Sequence, residues 1–210
     1  EENLSKLKEA MNKPNGIILV TGATGSGKST TVYSMLQSLN RVERNIITVE
    51  DPVEMKIAGI NQVQTMSEIG LTFASALRSI LRQDPNIILI GEIRDSETAQ
   101  IAVRASITGH LVLSTIHTNN SLSTIERLLD MDVERYLLSS ALEGIVSQKL
   151  ARRLCTHCRK LRPTTPYEKK IFKSVLNKDV PEIWDTDKCE YCSNGYHGRI
   201  AIQEVLLIDE

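Results

Sequence analysis

The chain has 210 residues, 41% of them apolar, and a formal net charge of −1. That length suffices for one α/β domain with a sizeable core and a small appendage, and falls short of two full domains. Near-neutral charge offers no global attraction to nucleic acid or to a membrane surface. Apolar runs such as Ile17-Ile18-Leu19-Val20 and Ile87-Ile88-Leu89-Ile90 are far shorter than the ~20 residues of a spanning helix. We therefore expect no nucleic-acid partner and no direct membrane insertion. The charged start does not read as a signal peptide, which points to a cytoplasmic chain. The opening at Glu1 without Met, and the acidic close soon after Val205-Leu206-Leu207-Ile208, read as a piece of a longer protein or as a processed chain.

The first predicted strand, residues 17–20, runs into Gly22-Ala23-Thr24-Gly25-Ser26-Gly27-Lys28-Ser29, and a helix pattern over 29–39 follows. This is a complete phosphate-binding loop in its proper strand-and-helix setting. Glycines let the backbone close around a polyphosphate with N–H groups turned inward, and the following helix presents the positive end of its dipole. Residues Gly22 to Thr30 are the candidate nucleotide-binding set: Lys28 reaches the β- and γ-phosphates and the Ser29 hydroxyl takes a place on Mg²⁺. Asn12-Lys13-Pro14-Asn15 is not a guanine-specifying N-K-x-D, so ATP is expected rather than GTP.

A second strand, 46–49, ends in Glu50-Asp51-Pro52-Val53-Glu54. Ligands of an open parallel sheet gather beyond the strands' carboxyl ends, so Glu50 and Asp51 are candidates to orient the water on Mg²⁺ or the attacking water. A solvated acidic loop is the plainer alternative. A helix over 73–82, started by Thr72, precedes a third strand, 87–90, which ends Gly91-Glu92-Ile93-Arg94-Asp95. Walker B segments usually place Asp straight after the apolar run; here that place is Gly91, and Glu92 becomes the candidate for polarising the attacking water. Asp95 starts the next helix, 96–107, and Gly109 stops it. The fourth strand, 111–114, leads to His117, a candidate sensor of the γ-phosphate, whereas His110 at its start reads as structural. Helices are expected over 122–129 and 134–150. Strands alternating with helices argue for an α/β fold with a central, mostly parallel sheet. Arg78, Arg82 and Arg94 are the arginines nearest the acidic boxes in sequence, and ion pairing with Asp84 or Asp95 is their plainer role.

Cys155-Thr156-His157-Cys158 and Cys189-Glu190-Tyr191-Cys192 use every cysteine of the chain. Two C-x-x-C pairs in a reducing compartment read as a closed four-thiolate Zn²⁺ site, structural because no coordination position stays open, with a redox pair as the competing reading. The thirty intervening residues must loop out and return, with a helix expected over 167–176. Lys149, Arg152, Arg153, Arg159, Lys160 and Arg162 form a run without acids, either a solvated face or a docking surface for an acidic partner.

In this order and spacing the boxes resemble those of the hexameric motor ATPases of type IV pilus assembly and type II secretion, the PilB and GspE type. Residues 22–29 answer to the family's Walker A, 48–54 to its Asp box, 87–95 to its Walker B and 109–119 to its His box. Leu150-Ala151-Arg152-Arg153-Leu154-Cys155-Thr156-His157-Cys158 and Gly195-Tyr196-His197-Gly198-Arg199 resemble the two ends of its tetracysteine module. The cysteines favour the assembly and secretion motors over the retraction motor. The resemblance implies a RecA-like core over residues 1–150, a zinc-binding subdomain over 151–198 and a return strand over 199–210. It also implies an N-terminal domain beyond this piece, a homo-hexamer in the full-length form in which one of Arg78, Arg82 and Arg94, with Arg94 the candidate site residue, completes a neighbouring active site, an inner-membrane platform protein as force-receiving partner, and a peripheral position at that membrane. Turnover by the isolated piece is expected to be weak. A nucleic-acid translocase or conjugation-type ATPase, and a zinc-stapled nucleotide switch without turnover, are the rival readings.

Overall fold

A computed structural model describes residues 2–208. Glu1, Asp209 and Glu210, the outermost positions of the expected 1–150 and 199–210 segments, lie outside the described residues. In chain order the elements are α1 (Glu2–Met11), β1 (Gly16–Thr21), α2 (Lys28–Leu39), β2 (Ile46–Glu50), β3 (Asn61–Gln64), α3 (Phe73–Ile80), β4 (Ile87–Ile90), α4 (Ser96–Ile107), β5 (Leu111–Ile116), α5 (Ser121–Asp130), α6 (Arg135–Ala141), β6 (Leu142–Leu154), β7 (Lys160–Pro163), α7 (Pro166–Leu176), β8 (Glu182–Asp185) and β9 (Tyr196–Leu207).

Seven strands form one sheet in the order β3-β2-β4-β5-β1-β6-β9. The pairs β2/β3, β2/β4, β4/β5, β1/β5 and β1/β6 are all parallel. The four apolar runs recognised in the sequence are the four central strands, and the α/β expectation holds. Because successive side chains point to opposite faces, Ile17, Leu19, Ile47, Val49, Ile88 and Ile90 join one apolar layer, and Ile18, Val20, Ile46, Ile87 and Leu89 the other. Ala76, Leu77, Ala99 and Val103 of α3 and α4 cover the first; Val32, Tyr33 and Leu36 of α2 cover the second. Burial on both faces explains why these strands read as unbroken apolar runs rather than alternating ones.

The start signals act as expected. Thr72 caps α3 in a reciprocal capping box with Ser75, and Asp95 accepts from the Thr98 N–H at 2.8 Å. The helix expected over 134–150 does not form as such. It ends at Ala141, and Leu142 turns extended at φ −81°, ψ 113° to begin β6, whose Ile145 and Val146 pair with Leu19 and Val20. Periodicity alone cannot separate a short buried strand from a buried helix. The open edge of β1 decides for the strand, since it pairs these backbone groups while burying both side chains.

The chain divides into two compact units, one running to Lys149 and resuming at Ile202, the other Leu150–Ala201. In the second unit β7 and β8 pair antiparallel beside α7. Four cations of the 149–162 run are engaged there. Arg162 pairs with Glu168 and Asp185, Lys160 with Asp187, and the guanidinium carbons of Arg152 and Arg159 lie 4.0 and 4.4 Å from the ring centres of Tyr196 and Trp184. These residues knit the second unit together instead of forming a bare cationic face.

Candidate nucleotide site and tetracysteine cluster

Parallel pairing brings the carboxyl ends of β1, β5, β4 and β2 to one edge of the sheet, and the candidate residues follow those ends. Beyond β1 the loop turns at Gly22 (φ 148°), Gly25 (φ 77°) and Gly27 (φ 87°), where left-handed backbone favours glycine. A Cβ on Gly22 would stand 2.3 Å from the Gln148 carbonyl oxygen, so the loop closes there only without a side chain. Gly27 caps α2 with no side-chain hydrogen bond, which leaves the first-turn N–H groups of Lys28, Ser29 and Thr30 to serve an anion. Ala23, Thr24, Gly25, Ser29 and Thr30 are exposed, while Lys28 is buried. Its Nζ donates to the carbonyls of Gly22 at 2.8 Å and Ala23 at 3.2 Å. Burial holds the Lys28 ammonium below its ordinary pKa, and the Glu92 charge opposes that shift. Buried Ser26 Oγ has no hydrogen-bond partner among the described residues. A lysine bent back onto its own loop, an orphaned hydroxyl and an uncapped helix start all fit a polyphosphate.

After β4, Glu92 sits on a turn clamped to β5. Thr115 donates from its hydroxyl to the Gly91 carbonyl at 2.7 Å, and its own carbonyl accepts from the Ile93 N–H at 2.9 Å. A Cβ on Gly91, which holds the usual aspartate place, would lie 3.3 Å from both Glu50 Cα and the Val49 carbonyl oxygen, a tight approach that a small shift would accommodate. The mostly buried Glu92 carboxylate binds Arg94 through one oxygen and lies 3.6 Å from His117 Nε2 through the other. Arg94 also lies 4.0 Å from Asp51, and its bond to Glu92 raises its already high pKa. His117 is carried by a turn fastened to the phosphate-loop strand, since Thr21 Oγ1 accepts from the Thr118 N–H at 3.0 Å and is 2.6 Å from Thr118 Oγ1. His110 instead bonds the Ala105 carbonyl at 2.9 Å.

The structure thus gathers Asp51, Glu92, Arg94 and His117 into one group and leaves Glu50 out of it. The buried Glu50 carboxylate accepts from Tyr33, from Thr48 at 2.5 Å and from Gln62 at 3.0 Å. Its oxygens are occupied by protein donors on the α2 side of β2, while Asp51 is exposed. Burial first, then the Glu50 carboxylate, pushes Tyr33 up to about 12. The sequence offered no sign of Tyr33, Gln62, Thr21 or Thr115, whose roles depend on pairings between distant segments. Arg78 pairs with Glu97, not with Asp84 or Asp95.

In the second unit the four cysteines converge, with Sγ–Sγ separations of 3.8 Å for Cys155–Cys189, 3.7 Å for Cys158–Cys192 and 3.6 Å for Cys189–Cys192. All four sulfurs lie within 4.8 Å of one another and all are free thiols. Sulfurs placed tetrahedrally about 2.3 Å from a central ion stand about 3.8 Å apart, so the cluster is compatible with zinc.

A phosphate loop opening onto strand-end acids defines the class: a P-loop nucleotide-binding protein. The chain belongs to the type II/IV secretion system protein family, which it matches over residues 1–210. It is 50% identical over 209 residues to the type II secretion system protein E of Aeromonas hydrophila, covering 99% of this chain and 42% of that protein. Against the type IV pilus assembly ATPase PilB of Myxococcus xanthus it is 52% identical over 211 residues, covering 97% and 36%. Its fold superposes on the crystal structure of the pilus retraction motor PilT with bound ADP at a TM-score of 0.72 and 34% identity, covering 98% of this chain and 51% of that one. The chain therefore spans less than half the length of these two curated relatives.

Proposed function

We propose that this chain is the ATP-hydrolysing motor portion of a hexameric ATPase that powers type IV pilus assembly or type II protein secretion. The observation that carries the reading is the pairing of an uncapped phosphate loop with Glu92 and His117, held on adjacent strand ends of a parallel sheet. Residues 22–30 would cradle the triphosphate through main-chain N–H groups, and Lys28 would exchange its bonds to Gly22 and Ala23 for the β- and γ-phosphates. Mg²⁺, taken up by the Ser29 hydroxyl and by water facing Asp51, would neutralise charge as the γ-phosphoryl leaves. Glu92, once released by Arg94, orients and polarises the attacking water, and His117 reads the γ-phosphate through a hydrogen bond. Arg94 is then free to meet developing negative charge, in its own site or in a neighbour's.

The core over residues 1–150, the 151–198 subdomain and the 199–210 return strand act as the working divisions of the chain. Zn²⁺ on Cys155, Cys158, Cys189 and Cys192 would be structural. The acting form is a homo-hexamer on the cytoplasmic face of the inner membrane, held there by a platform protein rather than by insertion; no helix among the described residues is long and apolar enough to cross a membrane. ATP turnover against protein concentration tests the reading. A rise steeper than linear supports a ring-dependent motor, linear activity stimulated by DNA supports the translocase alternative, and binding without turnover supports the switch.

A further inference from the structure

Gln148, on β6, is 2% exposed, and both ends of its side-chain amide are hydrogen-bonded. Nε2 donates to the Ser26 carbonyl at 2.6 Å, while Oε1 accepts from the Thr31 hydroxyl at 2.6 Å and from Gln203 Nε2 at 2.7 Å. The orientation of the amide is determined chemically. A main-chain carbonyl can only accept, so the atom facing Ser26 must be the NH₂ group, and the oxygen must then face the two donors. Turning the amide over would set its oxygen against the Ser26 carbonyl and break that bond. Gln203 is itself held, since its main-chain carbonyl accepts from Asn3 Nδ2 of α1 at 2.7 Å.

We propose that Gln148 is a positioning residue of the phosphate loop that locks the Ser26–Gly27 peptide plane. In a trans peptide the C=O and the next N–H point in opposite directions. With the Ser26 carbonyl drawn toward Gln148, the Gly27 N–H must point away from β6, into the concave side of the loop where a phosphate oxygen would sit. The lock is needed because Gly27, at φ 87°, tolerates either sign of φ, so this plane turns over at little steric cost. A turned plane would present a carbonyl oxygen, not an N–H, to the anion. The Thr31 bond holds the first turn of α2 to the same amide, so the segment carrying Lys28 and Ser29 is gripped from both sides. Gln203 donates to the oxygen at the other end of the Gln148 amide, and so serves as an orienting donor that steadies the amide.

This inference rests on the phosphate-loop reading of residues 22–30, and the experiment separates the two. MgADP affinity is measured by calorimetry, and hydrogen exchange at Thr31, whose N–H donates to the Gly27 carbonyl at 3.1 Å, and at the β4 amides Ile88 to Ile90 is followed without ligand, for the chain and for Gln148→Met and Gln203→Leu. Gln148→Met is expected to weaken MgADP binding about tenfold, the scale of losing one hydrogen bond to a charged group. It should speed exchange at Thr31 while the β4 amides stay as protected as before. Gln203→Leu, which keeps Gln148 and removes only its orienting donor, should give a smaller loss of about threefold, and it carries the test if Gln148→Met does not fold. Unchanged MgADP affinity in the variants, or equal loss of protection at Thr31 and β4, overturns the proposal. No MgADP binding by the unaltered chain overturns the phosphate-loop reading itself.

Discussion

Arg94 and Glu92, two residues apart on the turn after β4, form an ion pair that occupies one oxygen of the carboxylate, while His117 Nε2 stands 3.6 Å from the other. In the proposed reaction the guanidinium withdraws and leaves the oxygen it held, too, to orient water. Replacing Glu92 by Gln keeps the shape and removes the base. ATP turnover, followed by phosphate release, should fall by about 10² to 10⁴, the usual contribution of a positioned general base, with MgADP affinity little changed. Unaltered turnover would mean that another group primes the water.

Neighbouring acids on the same strand end should behave oppositely. Glu50→Ala orphans the buried Tyr33 and Thr48 hydroxyls, so we expect a loss of about 1–3 kcal/mol of stability, read in urea unfolding. Asp51→Asn, at an exposed position, should leave that midpoint unmoved and raise the Mg²⁺ concentration needed for turnover.

Gly22→Ala places a methyl 2.3 Å from a main-chain carbonyl on β6, at a φ of 148° that suits only glycine. Neither the carbonyl nor the backbone can yield cheaply. Nucleotide binding should be lost to calorimetry, and Gly25→Ala, where a Cβ meets nothing within 4 Å, should be clearly milder.

Removal of metal by a chelator, or Cys189→Ser, is expected to expose Leu150–Ala201 to proteolysis, since folding of a small unit around four thiolates is coupled to metal binding. The fragment ending near Lys149 should appear first in a digest followed by mass spectrometry. Resistance equal to that of the untreated chain would argue against a structural metal.

The Arg162 bonds, followed by those from Thr165, hold the Glu168 carboxylate down at about 2, against an ordinary 4.5. A depressed folded-state pKa gives stability that is full above the unfolded value and lost as pH falls through the folded one. The melting difference between the chain and Glu168→Gln should therefore be constant above pH 4.5 and shrink between about 4.5 and 2.

The sequence by itself determined the phosphate loop, the four central strands, the acids and His117 at their ends, and the cysteine pairs, because each is a local pattern. Glycine spacing, an unbroken apolar run or a C-x-x-C pair carries its meaning within a few residues. The caps at Thr72 and Asp95 were legible for the same reason. Only the tertiary structure decided that residues 142–154 form a strand, since the open edge of β1 chose between two conformations that the apolar pattern suits equally. It alone separated Glu50 from Asp51, because two of the three donors that occupy Glu50 come from α2 and β3. It also set four cations of 149–162 against Glu168, Asp185, Asp187 and two aromatic rings. Partners brought together by folding leave no mark on the local pattern of either segment, which is why the buried amide of Gln148 shows its place only beside Ser26.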